Sequence, residues 1–131
     1  MVENPSLKVF LVENHEDTLT YLSRYLRDCG HDVSSARDMT SALKGLSEQQ
    51  VDVLISDIGL PDGDGWQLIK SLQEASTCPP FGIAMSGFSM RSDCEKSLKA
   101  GYKHHLIKPF LPEDLDVLLE EAFRQRQKAK I

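Results

Sequence analysis

Four apolar runs in the sequence are each followed by polar side chains whose types are suited to phosphoryl chemistry. These side chains are two carboxylates, an amide, a hydroxyl and an amine, namely Glu13, Asn14, Asp57, Ser86 and Lys108. Carboxylate and amide oxygens suit Mg²⁺, which commonly takes one or two protein carboxylates and completes its shell with water and phosphate oxygens. A hydroxyl and an ammonium suit the oxygens of a phosphoryl group, and Asp57 could be the nucleophile that becomes an acyl phosphate.

Each of these residues also has a simpler interpretation that involves no chemistry. Asp57 precedes Gly59 and Pro61 and could simply open a turn. Glu13 and Asn14 could cap a helix, Ser86 could belong to a turn, and Lys108 could be an exposed loop cation. Taken singly, every residue favours the simpler interpretation, so the surrounding elements must decide.

The chain alternates between short apolar runs typical of buried strands and segments with the three-to-four spacing of amphipathic helices. Glycines at 30 and 101 predict helix ends, Asp38 predicts a helix N-cap, and Pro112 suits the first turn of the last helix. A helix marked by Cys94, Leu98 and Ala100 is expected to begin after Ser89 or Ser92. The predicted strands cover residues 7–12, 31–36, 51–57, 81–85 and 104–107.

This alternation predicts an α/β fold with a doubly wound, five-stranded parallel sheet and helices on both faces. The flavodoxin-like strand order 2-1-3-4-5 is the natural candidate, because it places the first and third strands side by side at the switch point. The carboxyl ends of all the strands then share one edge of the sheet. The joint interpretation of the polar residues as one site is therefore favoured over the separate ones.

At these spacings the chain resembles the receiver domains of response regulators in two-component signalling, across residues 7–123. The resemblance is carried by Glu13 and Asn14 after the first strand and by SDIGLPDGDG around Asp57. It is also carried by MSG at Ser86 and KP at Lys108. Residues 1–6 are then a lead-in, and residues 124–131 are a polar C-terminal helix end or linker.

The resemblance implies that Asp57 accepts a phosphoryl group from a phosphohistidine on a sensor histidine kinase or a histidine phosphotransfer protein. Lys108 would pair with the phosphoryl group, and Ser86 would move toward it. The domain would assist its own phosphorylation and dephosphorylation without being a conventional turnover enzyme. The implied Mg²⁺ ligands are Glu13, Asn14, Asp57 and the carbonyl of Gly59.

The sequence departs from the family pattern at Asn14, where most members carry a second acid. Glu13, Asp57 and Lys108 then have one net negative charge, where a second acid would give two. Opposite charges about 4 Å apart interact by about 4 kcal/mol at an effective dielectric near 20, so one charge fewer weakens metal binding. We therefore predict reduced Mg²⁺ affinity with phosphorylation retained.

A second departure is His105, at the position where the family usually places a Tyr or Phe that changes rotamer with the hydroxyl residue. Its neighbour His104 should point to the opposite face of the strand. His105 is expected to fill an aromatic slot and to act with Ser86 as a switch residue. A histidine there could also make the switch sensitive to pH in the physiological range.

The resemblance also indicates two interaction surfaces. The last strand and its flanking helices are the face that the family uses for switching and for homodimers. Thr18, Tyr21 and Tyr25 on the first helix are our hypothesis for the kinase-docking surface. The phrases AGYKHHLIKPF and GLPDGDGW resemble receivers attached to hybrid sensor kinases.

Composition bounds the remaining possibilities. The chain has 131 residues, 40% of them hydrophobic, which suits one domain with a single core. A net charge of -5 argues against direct nucleic-acid binding, and no run approaches the length of a membrane span. Cys29, Cys78 and Cys94 show no CxxC spacing and are expected as reduced thiols. These features favour a cytoplasmic protein without membrane contact.

Other interpretations of the sequence either fail or stay open. Asp62 and Asp64 suggest a calcium loop, but an EF-hand would need acids where Leu60 and Ser71 stand. Trp66 is most simply core or near-core packing. The alternative function is a receiver-like interaction module that works without phosphorylation, and a small-molecule phosphatase is a more distant third.

Overall fold

Seven strands and five helices follow one another in the computed structural model, which describes residues 6–76, 78–87 and 91–129, with side chains except at 91 and 127–129. No helix within these ranges is long and apolar enough to cross a membrane. The elements are β1 (Lys8–Val12), α1 (Glu16–Asp28), β2 (Asp32–Ala36), α2 (Met39–Ser47), β3 (Val53–Asp57), β4 (Gly59–Leu60), β5 (Gly63–Asp64), α3 (Gly65–Ala75), β6 (Phe81–Ser86), α4 (Arg91–Ala100), β7 (His104–Ile107) and α5 (Pro112–Ala129).

Five of the strands form one parallel sheet in the order β2-β1-β3-β6-β7. The two-residue strands β4 and β5 pair with each other in an antiparallel ladder between β3 and α3. Counting only the five sheet strands, the order is 2-1-3-4-5. The predicted flavodoxin-like doubly wound fold is confirmed.

The strands read as continuous apolar runs because both faces of the sheet are covered. Alternate residues of β1 belong to different core clusters, with Val9 and Leu11 in one and Phe10 and Val12 in the other. The first cluster includes residues of α1 and α5, and the second includes residues of α2, α3 and α4. The two layers of helices follow directly from the two-residue period of the strands.

The helix boundaries agree with the local signals in the sequence. Asp38 is the N-cap of α2 and accepts a hydrogen bond from the Ser41 amide at 2.7 Å. Gly30 and Gly101 follow α1 and α4 with φ of +97° and +127°, a conformation that favours glycine. Pro112 begins α5, as predicted.

Helix α4 differs in part from its sequence pattern. It begins at Arg91, so Ser92 lies in its first turn, and Ser89 lies outside the described residues. Leu98, one of the apolar residues that mark the helix, is 53% exposed, whereas Ser97 is fully buried. The apolar pattern locates this helix but does not identify its buried face.

Asp62 has a structural role that replaces the calcium-loop interpretation. Its carboxylate accepts hydrogen bonds from the amides of Met39 and Thr40 at 2.7 and 2.9 Å and from the Thr40 hydroxyl at 2.6 Å. The Thr40 hydroxyl and the two amides hold the pKa of Asp62 below its ordinary range. Asp62 therefore attaches the loop after β3 to the N-terminus of α2, where orphan amide donors favour a negative charge.

The C-terminal end of α5 contacts residues just before β3, at the edge of the sheet where the parallel strands begin. Arg126 donates to the carbonyl of Val51 at 2.9 Å and to that of Asp52 at 3.3 Å. Helix α5 itself continues to Ala129. The proposed division at residue 123 stays a prediction.

Gly65 should not tolerate a side chain. A Cβ there would lie 2.7 Å from the carbonyl oxygen of Asp57 and 3.1 Å from the Tyr102 hydroxyl. Since backbone atoms cannot move away freely, Gly65→Ala should lower the free energy of unfolding by about 1–3 kcal/mol. Urea denaturation measures this loss. Gly87→Ala, where a Cβ would meet no atom of the described residues within 4 Å, is the matched control, and equal losses in both variants would contradict the prediction.

Candidate functional site

The predicted site residues come together because four neighbouring strands end at the same edge of the sheet. Strand β3 ends at Asp57 and β6 ends at Ser86, while Glu13 and Lys108 follow directly after β1 and β7. Pairing aligns Asp57 with Met85, the residue before Ser86. Four strand ends thus deliver two carboxylates, a hydroxyl and an ammonium to one place.

Lys108 forms the central contact of this cluster. Its Nζ donates to Oδ2 of Asp57 at 2.7 Å and also to Oε1 of Glu13. The side chains of Glu13, Asp57 and Lys108 are 2%, 15% and 22% exposed. One cation therefore balances two carboxylates that have little access to water.

The pKa of Lys108 reflects opposing influences. Burial is the largest single one and lowers the pKa, but the hydrogen bonds and charges of Asp57 and Glu13 together outweigh it and raise the pKa. Lys108 is consequently a fixed positive charge at neutral pH. It can face a further anionic group, in addition to the two carboxylates, while it keeps its charge.

Backbone amides fix the other oxygens of the two carboxylates. Oδ1 of Asp57 accepts from the Gly59 amide at 3.0 Å, and Oε2 of Glu13 accepts from the His15 amide at 3.0 Å. These bonds tie each carboxylate to the loop that follows its strand. Asp57 therefore has a defined orientation.

Asn14 makes its described contacts away from the ion pair. Its side-chain amide donates to the Arg37 carbonyl at 3.2 Å, and the Arg37 guanidinium donates to the Asn14 carbonyl at 3.3 Å. The described contact of Gly59 with the site is the hydrogen bond from its amide to Asp57. The roles of Asn14 and of the Gly59 carbonyl as metal ligands stay predictions.

Ser86 and His105 lie in direct contact. The Ser86 hydroxyl is 2.9 Å from Nε2 of His105, whereas His104 points the other way, with its Nε2 at 2.9 Å from Oε2 of Glu121. The prediction that the two histidines face opposite sides of β7 is confirmed. Burial lowers the pKa of His105, with the charge of Asp93 acting in the opposite direction. The predicted pH sensitivity of the switch stays a prediction.

Beyond His105, the contacts continue to two residues that sequence reasoning did not assign to the site. Nδ1 of His105 is 2.7 Å from the hydroxyl of Ser97 on α4, and the indole Nε1 of Trp66 on α3 donates to that hydroxyl at 2.9 Å. Lys96 lies over the same indole, 4.2 Å from the ring centroid. The sequence offers one indication of this role for Ser97, namely that it is a polar residue among the apolar positions that mark α4.

Removing the ammonium of Lys108 should destabilise the domain. In Lys108→Met, Glu13 and Asp57 keep their charges and lose their shared partner. The free energy of unfolding should fall by roughly 2–3 kcal/mol at neutral pH, less than for a fully buried pair because Lys108 is partly exposed. Urea denaturation measures the loss. The exposed Lys103, changed to Met, is the control, and unchanged stability in Lys108→Met would contradict this account.

Comparison with protein-family models gives one match that spans most of the chain. Residues 9–120 match the response regulator receiver domain. This range begins in β1 and ends in α5. It contains all five strands of the sheet, except for Lys8, the first residue of β1. All of the site residues described above fall inside it.

Curated relatives agree with this match. Sensor protein EvgS of Escherichia coli K12 is 32% identical over 126 residues, which cover 95% of this chain and 10% of that protein. Transcriptional regulatory protein PrrA of Mycobacterium tuberculosis is 31% identical over 121 residues, covering 92% of this chain and 52% of the relative. The chain thus spans between a tenth and about half of the length of these two relatives.

Solved structures show the same fold. The beryllofluoride-activated NtrC4 receiver domain dimer is 28% identical, with a TM-score of 0.84 over 90% of this chain and 97% of that chain. A CheY-like receiver domain protein from Methanospirillum hungatei JF-1 is 22% identical, with a TM-score of 0.86 over 95% of this chain and 99% of that chain. With its sheet order, its strand-end residues and these matches, the chain belongs to the response regulator receiver domain family.

Proposed function

We propose that the domain is a phosphoacceptor switch of a two-component phosphorelay, with Asp57 as the residue that is phosphorylated. An oxygen of the Asp57 carboxylate attacks the phosphorus of a partner's phosphohistidine. The new phosphorus–oxygen bond forms as the phosphorus–nitrogen bond breaks, and the imidazole leaves. The observation that carries the proposal is the oriented Asp57 carboxylate, held by Lys108 at 2.7 Å and by the Gly59 amide at 3.0 Å.

Lys108 supports this role because its charge lies where new negative charge would develop. Phosphoryl transfer depends mainly on positioning and on neutralising the transferred oxygens. The Nζ group is bonded to both Asp57 and Glu13, so it lies beside the position of a phosphoryl group on Asp57 and could donate to its oxygens. Ser86, at the end of the neighbouring strand, supplies a hydroxyl on the same edge of the sheet and with His105 forms the switch pair.

The donor set fits Mg²⁺ as the cofactor. Glu13 and Asp57 offer two carboxylates, the number that Mg²⁺ commonly takes from a protein. Within the described residues, no group of three or more His, Cys, Asp or Glu side chains could hold a metal ion, so a metal here would depend on amide, carbonyl or water oxygens beside the two carboxylates. We propose Glu13, Asn14, Asp57 and the Gly59 carbonyl as ligands. When bound, the ion would neutralise charge on the phosphoryl oxygens.

The surfaces of the domain support two partner proposals. Tyr21 on α1 is exposed, and α1 begins three residues after Glu13, which favours α1 as the docking surface for a sensor histidine kinase or a histidine phosphotransfer protein. Large apolar side chains on α4, β7, α5 and the loop before α5 are also exposed, which favours a homodimer through that face. These are Leu98, Ile107, Leu111 and Val117.

The match to a sensor protein also supports two related proposals. The domain could be part of a hybrid sensor kinase, or it could receive its phosphoryl group from a separate sensor kinase. We place the domain in the cytoplasm, without direct contact to nucleic acid or membrane. The net charge of -5 supports the absence of nucleic-acid binding. The rival function, an interaction module that works without phosphorylation, is separated from this one by the following experiment.

Incubation with acetyl phosphate and Mg²⁺ should add one phosphoryl group to the protein. Intact-mass spectrometry should show the addition in the wild type and its loss in Asp57→Asn. Asp64→Asn is the matched control, since asparagine keeps the N-cap that Asp64 provides to Gln67 of α3 at 2.8 Å. A wild type that gains no mass, or an Asp57→Asn variant that still does, would favour the interaction module.

Asn14→Asp should tighten Mg²⁺ binding. The substitution places a second carboxylate directly after β1. Because residue 14 is exposed, the added charge acts at a dielectric close to that of water, where opposite unit charges about 4 Å apart gain about 1 kcal/mol and a divalent ion about twice that, so binding should tighten by roughly tenfold or more. Isothermal titration with MgCl₂ measures the change. An unaltered dissociation constant would show that the residue at position 14 does not reach the ion.

A further inference from the structure

A chain of four side chains connects the candidate phosphoacceptor edge to helices α3 and α4. Trp66 contacts Ser97, Ser97 contacts His105, and His105 contacts Ser86, at 2.9, 2.7 and 2.9 Å. Ser97 is fully buried and Ser86 is 3% exposed. Buried polar groups of this kind need protein partners, so the direction of each hydrogen bond follows from what each group can donate.

The direction is set first at Trp66. An indole N–H donates and cannot accept, so the Ser97 hydroxyl must accept from Trp66. The hydrogen of Ser97 itself then needs an acceptor. In the part of the chain that the structure describes, Nδ1 of His105 is the partner that remains for it. Ser97 therefore donates to Nδ1.

That donation determines the tautomer of His105. A neutral imidazole has one donor and one acceptor nitrogen, so an accepting Nδ1 places the hydrogen on Nε2. Nε2 then donates to the Ser86 oxygen, and 2.9 Å is the usual length of an N–H···O bond. Since Ser86 accepts from His105, its own hydrogen is directed elsewhere.

We propose that Ser97 and Trp66 are positioning residues that hold His105 in the Nε2–H tautomer and thereby turn the Ser86 hydroxyl hydrogen away from His105. The hydrogen is then available to an oxygen of a phosphoryl group on Asp57. This role rests on the proposed function only in its last step. The tautomer itself is a property of the unphosphorylated protein.

A protonated His105 would break this arrangement. Both ring nitrogens would then donate, so Ser97 would receive from two sides and its own hydrogen would lose its acceptor. The lowered pKa of His105 agrees with a neutral ring, although the Asp93 charge on α4 opposes that shift. The network and the burial of the ring therefore favour the same state.

Nitrogen NMR of the imidazole tests the tautomer directly. In long-range ¹H–¹⁵N correlation spectra at neutral pH, the wild-type His105 signals should show hydrogen on Nε2. His105→Phe identifies those signals by their loss. Ser97→Ala should produce a mixture of tautomers, while Ser92→Ala, an exposed serine of the same helix, should leave the ring unchanged. A wild-type ring with hydrogen on Nδ1, or no change in Ser97→Ala, would overturn the proposal.

Phosphorylation kinetics test the consequence for Ser86. Loss of one hydrogen bond is worth about 0.5–1.5 kcal/mol, so Ser97→Ala should slow modification by acetyl phosphate roughly 2- to 12-fold. In a His105→Phe background, Ser97→Ala should have no further effect, because the hydrogen bonds from Ser97 to His105 and from His105 to Ser86 are already absent. An equal effect of Ser97→Ala in both backgrounds would indicate packing and contradict the positioning role.

The experiments distinguish a failure of this proposal from a folding defect in Ser97→Ala and from a failure of the proposed function. If Ser97→Ala does not fold, Trp66→Phe removes the indole donor and should shift the tautomer in the same direction, and an unshifted ring would overturn the proposal. If Asp57 is not phosphorylated in the wild type, the proposed function fails. The NMR result would still decide whether Ser97 and Trp66 set the tautomer of His105.

Discussion

The structure depends on one ion pair network at the carboxyl edge of the sheet, where the ammonium of Lys108 lies between Asp57 and Glu13. Two carboxylates placed together with little access to water repel each other, and each charge is costly to bury without a partner. Lys108 offsets both costs and joins the ends of β1, β3 and β7. The net charge of the three groups remains negative by one unit, so the site retains attraction for a cation.

The same geometry explains how a change at Asp57 could reach the helices. Asp57 pairs with Met85 in β6, and the next residue, Ser86, contacts His105. From there, hydrogen bonds reach α4 through Ser97 and α3 through Trp66. Since buried polar networks tolerate few alternative arrangements, a new partner for the Ser86 hydroxyl must be accommodated along the whole chain of contacts.

The fold and the position of the site could be predicted from the sequence because both follow from short-range periodicity. Two-residue and 3.6-residue periods identify strands and helices, and parallel strands bring their ends to one edge. The opposite directions of His104 and His105 follow from the same rule. The contacts of Ser97, Trp66 and Asp62 could not be predicted in this way. Each joins side chains or amides of different elements, as Trp66 joins α3 to α4 and Asp62 joins the loop after β3 to α2, and no local spacing specifies such a bond.

His105 shows why residue type at a predicted position is not sufficient to define a mechanism. A phenylalanine would fill the same slot through packing alone, without any hydrogen bond to Ser86. A histidine fills the slot and also imposes a donor on one neighbour and an acceptor on the other. Which neighbour receives the hydrogen is decided by Ser97, and ultimately by the indole of Trp66, because that group can only donate. The direction of the Ser86 hydroxyl is therefore a property of three elements packed together, which no single one of them determines.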